Sequence, residues 1–154
     1  MNDFFTKLRL MNFFKKIIFF YVFLFLLSSC SKENLNRNPY LKPISFNKTI
    51  NLNLPKYDNL KYSGGSVFLE NTGIKGVLLF NLNEQIMAWE SSCPNHLPSS
   101  CSTMEIKGVQ AECKCENYQY SLATGQILNL NGNDIYPMLS YISEKNGSSV
   151  RISN

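Results

Sequence analysis

The sequence predicts an all-β protein of short strands and turns that carries two cysteine-bearing loops. Three observations lead there. Aromatic residues make up 13% of the 154 residues and mix with many β-branched, Asn, Ser and Gly residues, a composition that suits short strands and turns better than helices. Apolar residues alternate or run in short blocks between turn signals, at Ile50, Leu52 and Leu54, at Val77–Phe80 and at Ile86–Trp89. Finally, Cys93 and Cys101, and then Cys113 and Cys115, mark two loops parted by a strand-like interval. The length suits one domain with a single core plus additions, and no internal repeat is visible.

At the N-terminus Lys15 and Lys16 precede eleven apolar residues, Ile17 to Leu27, and Ser28, Ser29 and Cys30 follow. Eleven residues are too few to span a bilayer comfortably as a helix. Positive charge, an apolar stretch and small residues in that order make an export signal. The ending resembles a bacterial lipobox. That resemblance implies a lipoprotein signal peptide over residues 1–29, acylation of Cys30, and a lipid-anchored protein of the cell envelope on a periplasmic or surface-facing membrane. Met11 is an alternative start, since the segment from Met11 to Lys16 makes a compact basic region by itself. Residues 30–43 are polar, with Asn34, Asn36, Asn38, Pro39 and Pro43 and no apolar period, and read as a flexible tether. The domain is placed at residues 44–154.

The formal charge of +4 is misleading. Of 15 basic residues, Lys7, Arg9, Lys15 and Lys16 precede Cys30, which leaves 11 against 10 acidic residues and a net of +1. Nothing in that balance calls for nucleic acid. The partners expected are a membrane, through the lipid anchor, and a redox or binding protein.

Within the domain, the alternation Ile50, Leu52, Leu54 marks a first half-buried strand closed by Pro55. Gly64 and Gly65 make a bulge or tight turn ahead of Val67, Phe68 and Leu69, and Asn71-Thr72-Gly73 is another turn. Val77–Phe80 and Ile86–Trp89 form a hairpin across Leu82-Asn83-Glu84-Gln85 that delivers the chain into the first Cys loop. Trp89, ending an apolar strand, is expected in the core at the base of that loop. Ile106-Lys107-Gly108-Val109 is a second hairpin turn, with Val109 and Ala111 leading to Cys113. Val150 to Ile152 is the last strand. With Cys30 acylated, four cysteines remain, and an even set in a small exported domain favours disulfides. Four cysteines allow three pairings, which spacing alone leaves open.

The stretch Cys93-Pro94-Asn95-His96 and, after 16 intervening residues, Cys113-Lys114-Cys115-Glu116 resembles the Rieske [2Fe-2S] domain, in which a C-x-H loop and a C-x-x-H loop hold the cluster between them. The resemblance covers about the last 90 residues and implies an all-β, Rieske-like antiparallel sandwich with a two-loop cluster-binding subdomain. It makes Cys93 and Cys113 the iron-ligand cysteines and Cys101 and Cys115 the extra pair that forms a disulfide in respiratory members, with Cys101 a few residues late. Tyr120 matches the family aromatic that hydrogen-bonds the cysteine sulfur, Thr124-Gly125 matches a family turn, and Pro137 and Leu139 resemble its return strand. Tyr118 stands where a serine is frequent. The departures fall on the ligands. Asn95 occupies the C-x-H position, His96, the sole histidine, comes one residue late, and Glu116 occupies the C-x-x-H position.

Three readings of the site follow. In one, a [2Fe-2S] cluster persists on altered ligands, Cys93 and Cys113 on one iron and His96 with Glu116 or another donor on the other, and the domain is an electron carrier. In the second the site holds two disulfides, no cofactor is bound, and the domain is a binding or scaffold module. Thiolates sharing a tetrahedral metal lie about 3.7 Å apart with bonds of ~2.3 Å, so a small movement brings them to disulfide distance. The third is zinc on Cys93, His96, Cys113 and Cys115. Hydrolysis is poorly supported, because a single histidine between half-cystines and the lack of Gly-x-Ser-x-Gly leave no triad. No Walker loop, dinucleotide fingerprint or paired-carboxylate signal is present, so an electron carrier or non-catalytic domain is expected over an enzyme with its own substrate.

Overall fold

The computed structural model describes Lys16, residues 38–129 and residues 135–154. Apart from Lys16, the expected signal segment lies outside the described residues, as does Cys30. One compact unit runs from Asn38 to Asn154. Among the described residues no helix is long and apolar enough to cross a membrane.

The architecture is all-β and antiparallel: β1 (Asn47–Asn51), β2 (Ser66–Leu69), β3 (Val77–Leu82), β4 (Gln85–Glu90), β5 (Glu105–Lys107), β6 (Gln110–Cys113), β7 (Tyr118–Ser121), β8 (Ile142–Asn146) and β9 (Ser149–Ser153). They make three three-stranded sheets, ordered β1-β9-β8, β2-β3-β4 and β5-β6-β7. The second sheet lies at the centre, because its two faces feed two different cores. Val77, Leu79, Ile86 and Ala88 pack with Ile50, Val150 and Ile152 of the first sheet. Leu78, Phe80 and Trp89 pack instead with Ala111, Cys113 and Tyr120 of the third. A strand buried on both faces needs apolar side chains at every position rather than alternate ones, which is why β3 reads Val-Leu-Leu-Phe without a break. Each such fully buried aliphatic side chain stabilises by roughly 1.5–3 kcal/mol.

The hairpin expected between β3 and β4 is tighter than its sequence suggests. Leu82 pairs with Gln85, leaving a two-residue turn in which Asn83 and Glu84 both have positive φ. That backbone matches the twist of the flanking strands, and Glu84 N donates to Asn81 Oδ1 at 2.7 Å.

Elsewhere the expected boundaries shift. The first strand ends at Asn51, and Leu54, read as its third inward residue, is exposed. Pro55 does not merely close a strand. It opens a 3₁₀ turn, Pro55–Lys61, that buries Tyr57 and Leu60 under the first core. Pro137 and Leu139 lie in an irregular segment rather than a strand, held to the centre by Glu90 N donating to Leu139 O and Tyr141 N donating to Ala88 O. Residues 38–43, read as part of the tether, pack on the domain: Leu41 is buried, and Asn38 Nδ2 donates to Pro94 O at 2.7 Å. Asn38 Oδ1 also accepts from the Tyr40 and Leu41 amides, so a single asparagine folds this segment against the first Cys loop.

Candidate functional site

The two Cys loops grow from the third sheet and the end of β4. Beyond Glu90 the chain enters the first loop, whose stem is closed by a bridge between Ser92 and Thr103 and by Cys93 N donating to Ser102 O at 2.8 Å. The second loop is the tight connection between β6 and β7, where Cys113 pairs with Tyr118 and Asn117, at φ 57°, donates its amide to Cys113 O. Cys113 is thus the last residue of a strand and points into the core, while Cys115, two residues on, stands in the turn.

The four sulfurs are joined in pairs. Cys93 and Cys113 are bonded, with Cα atoms 5.7 Å apart, and both residues are fully buried. Cys101 and Cys115 are bonded, with Cα atoms 5.4 Å apart; Cys101 is exposed and Cys115 half-buried. Both Cα separations are ordinary for disulfides. The pairs are also close to each other, since the donor atoms of Cys93, His96, Cys113 and Cys115 all lie within 4.8 Å of one another. Ser99 Oγ reaches both sulfurs of the outer pair, 3.3 Å from Cys101 Sγ and 3.9 Å from Cys115 Sγ.

His96 projects Nε2 to 3.7 Å from Cys113 Sγ. Its Nδ1 lies 2.8 Å from Leu97 O, and a carbonyl only accepts, so Nδ1 carries the hydrogen and Nε2 of the neutral ring presents its lone pair to the sulfur. Glu116, expected as a donor beside His96, is exposed and is not among the converging side chains; Cys115 is. The turn that carries Cys115 inward leaves the next side chain facing solvent.

Tyr120 also departs from its expected role. It is fully buried, and among the described residues the partner of its hydroxyl is Asn95, whose Nδ2 donates at 2.7 Å, rather than a sulfur. Asn95 Nδ2 further donates to Tyr136 O, and Tyr136 N donates to Asn95 Oδ1 at 2.7 Å. Asn95 is therefore committed to tying the first loop to β7 and to residue 136. Burial pushes the Tyr120 hydroxyl well above the ordinary tyrosine range, with the Asn95 hydrogen bond acting against it.

Two supports lie beneath the loops. Trp89 is buried as expected and donates Nε1–H to Leu122 O at 2.7 Å, its ring lying against Gly125. Gly125 has φ +70°, and a Cβ there would meet the indole at 2.6 Å, so this Thr-Gly turn requires glycine both for its backbone and for the tryptophan. The other support, Glu90, escaped the sequence reading. Its fully buried carboxylate accepts from the amides of Ile74 (2.7 Å), Lys75 (2.9 Å) and Ser92 (2.8 Å) and from the Tyr141 hydroxyl (2.6 Å). A buried carboxylate without a cation is tolerable only when its lone pairs are satisfied in this way. Gly73 makes room for it, since a Cβ there would lie 2.6 Å from Glu90 Oε2. The only sequence hint was an acidic residue at the end of an apolar strand.

A Rieske [2Fe-2S] cluster needs two thiolates and two imidazoles, and the altered set expected from the sequence needs both thiolates with His96 and Glu116. Here the two thiolates are spent on one another, one imidazole is present, Asn95 in the first loop has three hydrogen bonds of its own, and Glu116 in the second is exposed and outside the converging group. The residues as arranged do not fit that group. They do fit chemistry at sulfur: a buried disulfide, a more exposed one beside it, and an imidazole at the inner pair. A groove of about 530 Å³ opens next to Cys101, lined by Phe68, Leu78, Met104 and Ile106 with the Glu105–Lys114 ion pair on it.

Neither a protein-family model nor a curated protein sequence matches the chain. Among solved structures it is similar to the ferredoxin of carbazole 1,9a-dioxygenase from Nocardioides aromaticivorans IC177, with 14% identity, 72% of this chain and 96% of that one covered and a TM-score of 0.44. It is similar also to a Mycobacterium tuberculosis protein described as the small subunit of an NADH-dependent nitrite reductase, with 18% identity, the same 72% and 96% coverage and a TM-score of 0.42.

Proposed function

We propose that this chain is an exported, lipid-anchored cell-envelope protein whose Rieske-like two-loop framework has exchanged its cluster for a disulfide, and which acts as a cluster-free binding module for another envelope protein. The observation that carries the reading is the Cys93–Cys113 bond, buried at the point where the resemblance puts the two iron thiolates. Asn95 supports it from the other side of the site: side chains bound to Tyr120 and Tyr136 are built for holding the loop, not for presenting a ligand. With two loops pinned at two points, the protein offers a rigid tip, and rigidity lowers the ordering cost of binding.

The test is the protein purified from its own membranes without reductant. The reading expects a colourless, iron-free protein with no free thiol among Cys93, Cys101, Cys113 and Cys115, and with lipid on Cys30 that the Cys30→Ala variant loses. Visible colour with stoichiometric iron and free thiols at Cys93 and Cys113 after denaturation would overturn it. Normal lipid labelling of Cys30→Ala would overturn the anchoring part alone.

A second reading has one observation in its favour. The donor atoms of Cys93, His96, Cys113 and Cys115 fall within 4.8 Å of one another, close enough for a modest contraction to bring them to the spacing of about 3.7 Å that a tetrahedral zinc site needs. It requires both disulfides to be open, so zinc uptake by the reduced protein, and none by the oxidised one, is its signature.

A further inference from the structure

We infer that the two disulfides form a thiol–disulfide exchange relay, in which a dithiol partner opens the exposed Cys101–Cys115 bond and the freed Cys115 then opens the buried Cys93–Cys113 bond. This rests on the cluster-free reading, because it needs the inner disulfide.

Three features of the site carry it. Exchange proceeds by attack of a thiolate on a disulfide sulfur that it can reach, and reach divides the four sulfurs. Cys101 is exposed and borders the open groove, whereas Cys93 and Cys113 are fully buried and closed to any outside thiol. Cys115 belongs to both neighbourhoods. It is bonded to Cys101, and its sulfur lies within 4.8 Å of those of Cys93 and Cys113. Reducing equivalents can therefore enter the buried pair through Cys115 without unfolding the domain. Finally, His96 Nε2 stands 3.7 Å from Cys113 Sγ with its lone pair free, so a thiol formed at Cys113 has an acceptor waiting.

The steps balance. A thiolate of the dithiol attacks Cys101 Sγ; the new bond is a mixed disulfide, the Cys101–Cys115 bond breaks, and its electron pair leaves on Cys115. The Cys115 thiolate attacks Cys93 Sγ, forming Cys93–Cys115, while the Cys93–Cys113 bond breaks and its pair leaves on Cys113. Cys113 takes up a proton and its S–H donates to His96 Nε2. The second thiol of the dithiol attacks its own mixed-disulfide sulfur and releases Cys101, which is protonated in turn. The dithiol has become a disulfide, losing two electrons and two protons, and the protein has gained Cys101 and Cys113 thiols in exchange for one of its two bonds. Run backwards, the same steps reduce a disulfide partner to its dithiol while the Cys101 and Cys113 thiols return to the two-disulfide form.

The experiment treats the full-length, detergent-solubilised protein with dithiothreitol over a time course, traps thiols by alkylation, and maps linkages by mass spectrometry under non-reducing conditions. At the two-electron stage the expected products are alkylated Cys101 and Cys113 and a Cys93–Cys115 linkage. In Cys115→Ser, alkylation of Cys113 should slow by at least about tenfold, since the thiol that remains, Cys101, lies outside the group that converges on the inner pair. Alkylated Cys101 and Cys115 with Cys93–Cys113 intact throughout would overturn the relay, as would Cys113 reduced at the wild-type rate in Cys115→Ser. Should that variant not fold, the wild-type linkage map decides. A failure of the cluster-free reading looks different: colour, iron and free Cys93 and Cys113 thiols before any dithiol is added.

Discussion

Asn95 donates from Nδ2 to the hydroxyl of Tyr120 at 2.7 Å, joining the residue that follows Pro94 in the first Cys loop to the fully buried tyrosine of β7. An amide in this place serves the fold of the loop, and the imidazole next to it, His96, is turned toward the inner disulfide. Asn95 and His96, neighbours in sequence, thus have different tasks.

Tyr120→Phe should therefore keep the packing and lose one hydrogen bond, leaving Asn95 Nδ2 with Tyr136 O as its remaining acceptor. The expected loss is about 1 kcal/mol. Urea unfolding under oxidising conditions measures it, and a loss above about 3 kcal/mol would point to a role for the hydroxyl beyond this bond.

Replacing Cys93 and Cys113 together by Ala opens a loop whose ends are 20 residues apart in sequence. The chain-entropy model gives about 3 kcal/mol for a closure of that length, and the buried site adds a small cavity on top. Reversible denaturation compared with the Cys101→Ala/Cys115→Ala pair separates the contributions; unchanged stability in the first variant would mean that the inner bond does not form in the protein.

Glu90→Gln keeps the shape of the side chain and turns one of two acceptor oxygens into a donor. Whichever way the amide faces, its NH₂ meets an amide N–H: those of Lys75 and Ser92 on one side, or that of Ile74 beside the Tyr141 hydroxyl on the other. A loss of about 1–3 kcal/mol is expected, the cost of buried donors left unsatisfied. Hydrogen exchange at the Ile74, Lys75 and Ser92 amides should accelerate in the same variant.

Alkaline pH should unfold the domain. Burial raises the Tyr120 and Tyr141 hydroxyls above the ordinary value of 10.0, and for Tyr141 the Glu90 carboxylate adds to it. Above about pH 10 an unfolded chain gives up these protons while the folded one keeps them, so stability is complete below that pH and falls as pH rises. Absorbance of tyrosinate should show two residues that ionise only with loss of structure, and Tyr141→Phe should flatten the slope. Two fast-titrating groups instead would contradict the burial.

What could be read from the chain alone was whatever local periodicity and turn chemistry dictate. The β3–β4 hairpin followed from two apolar blocks around a polar turn, Trp89 from its place at the end of the second block, and the two loops from the cysteines themselves. The 3₁₀ turn at Pro55 was hidden, because Leu52 and Leu54 carry a strand-like alternation that the proline interrupts only in space. Tertiary structure decided the rest, for a physical reason common to each case: the partners are far apart in sequence. Three cysteine pairings are equivalent until β6 and the Ser92–Thr103 bridge put Cys113 against Cys93 and leave Cys115 for Cys101. Glu90 looks like a solvated charge until the turn at residues 73–75 and Tyr141, 51 residues away, close over it. Asn95 looks like a misplaced ligand until Tyr120 and Tyr136 supply the groups that need an amide there.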